Sequence, residues 1–294
     1  MVDFGLILPS YRAGASVESI EAAAETVARL GWHSVFTTDH LLVEQSKRSE
    51  DYFQIFDALL TTVHVAARQP TLRVGISAVV VPMRNAVELA KELATIDALS
   101  GGRLIAGVGV GWNQREFGHL GLAERFPQRG AYLDEALEIW RHLWGGGEGP
   151  FEGRFHRFED VRFGPLPPQG RDMTVWVGGR AAPALRRAGR LGNGYHSTAS
   201  GPAQLAVRIP VVKAAAEAAG RPAPTISARF RVGFGAHEVP FFMVAGTPEQ
   251  MIGELREFAA LGVDHIAVDF AETEPDRLVM LVERFDREVL AALR

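Results

Sequence analysis

The stretch LRVGISAVVVPMRNAVELAKELATIDALSGGRLIAGVGV, residues 72–110, decides the fold. Residues 72–81 are apolar almost throughout, as a strand covered on both faces must be. Leu89, Leu93 and Ile96 then recur at the spacing of one helical face, and 103–110 resumes the apolar run. Strand, helix, strand is the unit of a parallel sheet, because parallel neighbours need a crossover long enough to hold a helix.

The unit repeats in both directions. Residues 4–9 precede a helix over 17–30 carrying Ile20, Ala24, Val27 and Leu30, and SVFTT (34–38) precedes an apolar-periodic stretch over 56–67. After the fourth strand the helix is delayed to 132–143, where Leu133, Ala136, Leu137, Trp140 and Trp144 form the stripe. TVWVG (174–178) is followed by a helix over 181–190, GYHST (194–198) by 203–219, TISARFRVGFG (225–235) by 248–260 and DHIAVDF (264–270) by 276–292. Thr247-Pro248-Glu249-Gln250 supplies a helix start and Gly262 a helix end. Eight such units without a break in composition predict one α/β domain over 1–294, a TIM-like (β/α)8 barrel rather than a doubly wound open sheet. Two insertions are expected, one of about twenty residues after the fourth strand. The other, 145–171 before the fifth strand, is Gly- and Pro-rich with Phe151, Phe155, Phe158 and Phe163, and reads as an irregular hairpin.

Composition narrows the function. The 294 residues carry 31 Lys+Arg against 35 Asp+Glu, a net charge of −4, and no cysteine. With no run of Lys or Arg, neither nucleic acid nor a membrane surface is an expected partner. Disulfides, thiolate nucleophiles and iron–sulfur clusters need thiols and are excluded. No stretch approaches about 18 apolar residues and the first residues do not read as a secretory signal, so the expected location is cytoplasmic. The histidines lack H-x-x-x-H or H-x-H spacing, so no metal is expected, and neither G-x-S-x-G nor a Walker loop occurs.

In a barrel the strand C-termini build the site. Asp39-His40 ends the second strand, a carboxylate beside the side chain best suited to exchanging protons near neutral pH. Gly178-Gly179-Arg180 follows the fifth strand and opens a helix, where free amides, the helix dipole and the Arg charge favour an anion such as phosphate. The similar Gly101-Gly102-Arg103 lies at the opposite rim and reads as a helix end. Gly107, Gly109 and Gly111 alternate along one face, which admits either a planar ring against the backbone or close packing inside the barrel. Their spacing misses G-x-G-x-x-G, which sets aside nicotinamide binding through this motif. His196 ends the sixth strand.

Taken together, FGLILP, WHSVFTTDHL, VGISAVVVPMRNAVELAKELATIDALSGGRLIAGVGVGWNQREF, VWVGGRAAPALRRAGRLGNGYH and GTPEQMIGELREFAALGVDHI resemble the luciferase-like monooxygenase superfamily. Within it the chain is most similar to the short branch of coenzyme F-420-dependent oxidoreductases. The resemblance implies an often homodimeric barrel holding the deazaflavin F-420, or alternatively FMN, across the strand C-termini. Asp39, Ser77, Ala78, Gly109, Gly178, Gly179, Arg180, Tyr195 and His196 are the residues expected to bind it, with a non-proline cis peptide at Ser77-Ala78. His40 is the expected proton carrier, with Asp39 orienting it or touching the ring. In the sugar-phosphate dehydrogenases of the superfamily a glutamate on the fourth-strand loop shares the proton handling; the matching position here is Trp112, with Glu116 nearby, so their substrate does not transfer. The expected activity is hydride transfer between F-420 and a small organic substrate. A reduced-FMN monooxygenase and a non-catalytic deazaflavin or flavin binding protein are the alternatives.

Overall fold

The computed structural model describes residues 2–47, 49–147, 149–237, 239 and 241–294. Eight barrel strands follow in order: β1 (Asp3–Ile7), β2 (Ser34–Thr37), β3 (Arg73–Val80), β4 (Leu104–Gly109), β5 (Val175–Gly178), β6 (Gly194–Thr198), β7 (Thr225–Phe234) and β8 (His265–Asp269). Each pairs in parallel with the next, and β8 pairs with β1, so the sheet closes. The fold is the closed (β/α)8 barrel that the alternation predicts.

Outside the strands lie α1 (Val17–Arg29), α2 (Ala58–Arg68), α3 (Ala86–Leu99), α4 (Gln114–His119), α5 (Arg129–Trp144), α6 (Ala182–Leu191), α7 (Pro202–Ala218), α8 (Pro248–Ala260) and α9 (Pro275–Glu288). Several helix starts are written locally. Ser16, Asp57, Asn85 and Thr247 accept hydrogen bonds from the first-turn amides, caps worth about 1 kcal/mol each. Gly101 and Gly102 take φ +66° and +81° to end α3, and Arg103 then donates to the carbonyls of Ala66, Gln69 and Ser100 at the base of the barrel. That GGR is the structural one.

The insertion after β4 carries α4 and a 3-10 turn over Ala123–Gln128, elements too short to show a period in sequence. Segment 145–171 contains the expected hairpin, Phe151–Glu152 antiparallel to Arg157–Phe158. One strand has no counterpart in the sequence reading: Met243–Gly246 pairs with β7 over Arg231–Phe234, where β7 extends past its pairing with β6.

The bore is filled by flat side chains. Phe36, Trp176, His196 and His265 come from four different strands, and the centroids of their contacting ring pairs lie 5.0 to 6.0 Å apart. Glycine makes the room: a Cβ on Gly75 would stand 2.4 Å from Phe36, and one on Gly194 2.1 Å from Trp176. A Cβ on Gly107 would stand 2.0 Å from the Ile76 carbonyl oxygen, so β3 and β4 could not pair as they do. Gly107→Ala is therefore expected to lower stability by at least the ~1–3 kcal/mol typical of overpacking. Gly109→Ala, with only the Ala78 methyl at 3.8 Å, should melt like the parent. Thermal denaturation of the two variants checks this, and equal melting temperatures would contradict it.

Candidate active site

At the C-terminal rim, β3, β4 and β5 end in a smooth floor. The Ala78 Cβ lies 3.8 Å from where a Cβ on Gly109 would stand and 3.9 Å from that on Gly178. Three adjacent strands thus present backbone and one methyl, space that any larger side chain would fill. The Ser77-Ala78 peptide is cis, as the resemblance implies. The three alternating glycines have separate reasons to be glycine: Gly107 packs, Gly109 opens the floor, and Gly111 turns the chain at φ +76°.

Beyond the floor the chain turns at Gly179, φ +136°, where a Cβ would stand 2.5 Å from that of Ala184. A side chain there would displace α6 itself. This helix has no side-chain cap at Ala181; Pro183 carries no N–H and the Ala184 amide donates to the Ala181 carbonyl at 2.9 Å, which leaves the Ala182 amide for an outside acceptor, and Arg180 nearby is exposed. Tyr195 is buried and its hydroxyl donates to the Gly179 carbonyl at 2.9 Å, so it holds this turn from beneath.

His40 stands at the end of β2. Its Nδ1 lies 2.7 Å from Glu116 Oε2, while Glu116 Oε1 accepts from the amides of Leu41 at 2.6 Å and Leu42 at 3.2 Å. Burial pushes the Glu116 carboxyl up, but the hydrogen bond and charge of His40 and the two amides outweigh it and hold it below the ordinary range. An ionised Glu116 can only accept, so Nδ1 carries hydrogen and Nε2 is the nitrogen left to exchange protons. Tyr52 and Trp112 flank the imidazole, with ring centroids 4.2 and 5.7 Å away. Asn113 starts α4 by accepting from the amides of Arg115 and Glu116, which sets Glu116 in place.

Asp39 is engaged elsewhere. Its Oδ2 accepts from the Val80 amide at 2.7 Å, and its two oxygens take both Nη atoms of Arg84 at 2.9 Å. It ties the end of β2 to the end of β3, and the carboxylate bonded to His40 is Glu116.

His196 is 1% exposed and reaches the site through Ser77. Its Nε2 is 2.7 Å from Ser77 Oγ and its Nδ1 2.9 Å from Ser227 Oγ. Ser227 continues to His265 Nδ1 at 3.0 Å, and His265 Nε2 to Ser34 Oγ at 2.8 Å. Burial, helped by the Arg229 charge, lowers His196 to about 3, and burial holds His265 well below the usual imidazole range. Both rings are neutral at physiological pH.

The opposite wall is charged. Arg229 donates to the carbonyl and Oγ of Ser77, to Tyr11 Oη and to Thr38 Oγ1. Arg12 pairs with both oxygens of Asp269 at 3.1 and 2.9 Å, and Tyr11 donates to the same carboxylate at 2.7 Å. Burial raises the Asp269 carboxyl, but Arg12 and Arg229 more than offset it and hold it far below the carboxylate range. The sequence carried one trace of this wall, arginines at 229 and 231 inside an apolar strand; Tyr11, Thr38 and Asp269 had no local signal. A cavity of about 620 Å³ lined by Asp3, His33, Arg256 and Arg294 opens at the other end of the barrel and shares none of these groups.

The family model for luciferase-like monooxygenases matches residues 2–239. The chain belongs to the luciferase-like monooxygenase family. It is 31% identical over 201 residues to an F-420-dependent glucose-6-phosphate dehydrogenase of Mycolicibacterium fortuitum. That match covers 67% of this chain and 58% of the relative, so the chain spans less than two thirds of the curated relative's length. Among solved structures, the coenzyme F-420-dependent tetrahydromethanopterin reductase of Methanopyrus kandleri superposes with a TM-score of 0.81 at 18% identity, covering 100% of this chain and 99% of that one. A monooxygenase of Streptomyces bottropensis superposes at 0.82 and 20%, covering 100% of both. At these identities the structural likeness establishes the barrel. No helix among the described residues is long and apolar enough to cross a membrane.

The buried imidazoles make acid stability predictable. His196 and His265 stay neutral when folded but take protons near pH 6.5 once unfolded, so their contribution is complete above that pH and lost as pH falls below it. The slope is up to ~1.4 kcal/mol per pH unit for each ring, continuing for His196 toward its folded value. Denaturant unfolding at pH 7.5 and 5.0 measures it, and His196→Asn should show the shallower loss. Equal slopes would count against the buried neutral ring.

Proposed function

We propose that this chain is an oxidoreductase that transfers a hydride between coenzyme F-420 and a small organic substrate, with residues 1–294 acting as one domain. The observation that carries the reading is the smooth floor of Ala78, Gly109 and Gly178 beside a single proton-exchanging imidazole, His40 on Glu116. Backbone and a methyl admit a flat tricyclic ring. The F-420 dependence of the Mycolicibacterium relative supports the deazaflavin over FMN.

When bound, the deazaflavin supplies or accepts the hydride. The chain's residues do the rest. The Ala182 amide at the start of α6 and the Arg180 guanidinium hold the phosphate, while Tyr195 steadies their turn through Gly179. Arg229 and His196 fix Ser77 beside the floor. His40 Nε2 gives a proton to the substrate oxygen in reduction and takes it back in oxidation. Glu116 balances the imidazolium charge, and Asp39 positions the strand end from which His40 projects. The resemblance supports a homodimer, as do the exposed Leu60 and Leu99 on α2 and α3, and the sequence supports a cytoplasmic location.

Family membership also favours a second reading, a reduced-FMN monooxygenase, since the same floor accepts either ring. Calorimetric titration with F-420 and with FMN separates them. F-420 should bind more tightly, and Arg180→Gln should weaken it without changing the melting temperature; FMN preferred tenfold, about 1.4 kcal/mol, would reverse the assignment.

On a panel of alcohols and ketones, His40→Ala and Glu116→Gln should each lower kcat by about 10²–10⁴-fold. The amide would present N–H groups to Nδ1 and so move the imidazole hydrogen to Nε2. F-420 affinity should not change in either variant. Unchanged kcat in both would remove His40 from the chemistry, and tight F-420 binding with no turnover by the parent would favour a binding protein.

A further inference from the structure

The loops after β1 and β2 are zipped together at the mouth of the barrel. The Arg12 amide donates to the Gln54 carbonyl and the Phe56 amide to that of Ser10, both at 2.9 Å, and Tyr11 stacks on Tyr52 at 5.7 Å. Beside that stack, Arg12 Nε faces Asp51 Oδ2 at 3.6 Å. The same Asp51 oxygen takes Arg231 Nη2 at 2.5 Å, so one carboxylate answers two arginines from separate elements.

Arg12 is held with some force. It is 9% exposed, its backbone sits at φ +85°, a left-handed conformation uncommon for a side-chain-bearing residue, and its Nε has no hydrogen-bond partner among the described residues. Two guanidiniums converging on one point is how proteins bind a ligand's carboxylate or phosphate. Here a side chain of the protein fills that point. The other cationic groups of this wall among the described residues are also engaged, Arg12 Nη1 and Nη2 with Asp269, and Arg229 with Ser77, Tyr11 and Thr38.

We propose that Asp51 is a specificity-determining residue that closes the Arg12–Arg231 pair to anionic substrates, so that the site takes an uncharged carbonyl compound or alcohol with an apolar body and rejects a sugar phosphate. The identity of the reacting group rests on the oxidoreductase reading above; the charge filter does not. An arriving phosphate must break one ion pair to form another, which leaves little net gain, whereas an uncharged substrate displaces nothing. The surrounding surface suits such a substrate. Tyr52 continues into the His40 and Trp112 rings, and Phe241 lies 4.7 Å from the Arg231 guanidinium. The Asp51 side chain is 40% exposed, so its replacement leaves the core untouched.

The test is calorimetric titration of glucose 6-phosphate into the parent, Asp51→Asn and the double variant Asp51→Asn/Arg231→Gln, with Asp51→Ser as a second single variant and melting curves for each. Phosphate bound at the α6 turn is common to all of them, so differences between variants report the mouth. The single variants should bind at least tenfold more tightly than the parent, and the double variant should lose that gain. Parent affinity equal to that of the single variants, or a gain that survives loss of Arg231, overturns the proposal. The parent should reduce uncharged ketones such as cyclohexanone with reduced F-420, and should not oxidise glucose 6-phosphate with oxidised F-420. Turnover of the sugar phosphate overturns the proposal. Failure of F-420 to support turnover of either compound overturns the oxidoreductase reading and the named substrate class, while the titrations still decide the charge filter.

Discussion

Four planar side chains share the bore of the barrel, and the space they need governs much of what surrounds them. Phe36 and Trp176 demand glycine at 75 and 194, since a Cβ at either place would overlap a ring. His196 and His265 bring ring nitrogens into the same packed interior, where an unpaired polar atom costs roughly 1–3 kcal/mol. Ser34, Ser227 and Ser77 supply the partners, so the packing requirement becomes a hydrogen-bonded row. Its last member, Ser77, adjoins Ala78 in the floor of the candidate site. Packing in the middle of the barrel therefore sets the position of backbone at its mouth.

The rim divides its tasks by strand. Strands β3 to β5 end without bulk, β2 carries the imidazole, and the ends of β1, β7 and β8 carry charge. Most of the described carboxylates on this rim are answered by a cation: Asp39 by Arg84, Glu116 by His40, Asp269 by Arg12, and Asp51 by Arg231 and Arg12. Buried or partly buried ions are tolerable only when answered in this way, because desolvation would otherwise dominate. Internal pairing also means that the side chains are held in place before a ligand arrives, which is the condition for orienting a proton carrier without reorganisation during reaction.

His40 and Glu116 show why such an arrangement escapes a reading along the chain. Asp39 is the carboxylate next to His40 in sequence, yet its oxygens face Val80 and Arg84. The carboxylate that meets the imidazole is 76 residues away, on a helix of six residues that shows no period. The strand at Met243–Gly246 was equally hidden, since its pairing depends on β7 extending past its contact with β6.

The sequence by itself determined what each segment does with its own neighbours. The alternation of apolar strand and amphipathic helix, the cap at Thr247, the left-handed glycines at 101 and 102 and the placement of Asp39-His40 at a strand end all follow from side-chain period and local hydrogen bonding. Tertiary structure alone decided what those positions meet. Gly107, Gly109 and Gly111 are chemically identical and evenly spaced, yet one packs against the Ile76 carbonyl, one opens beside Ala78 and one turns the chain next to Val80. The difference lies in the register of β3 against β4 and in closure of the barrel. Both are set by contacts between strands distant in sequence, which no period within a single segment encodes.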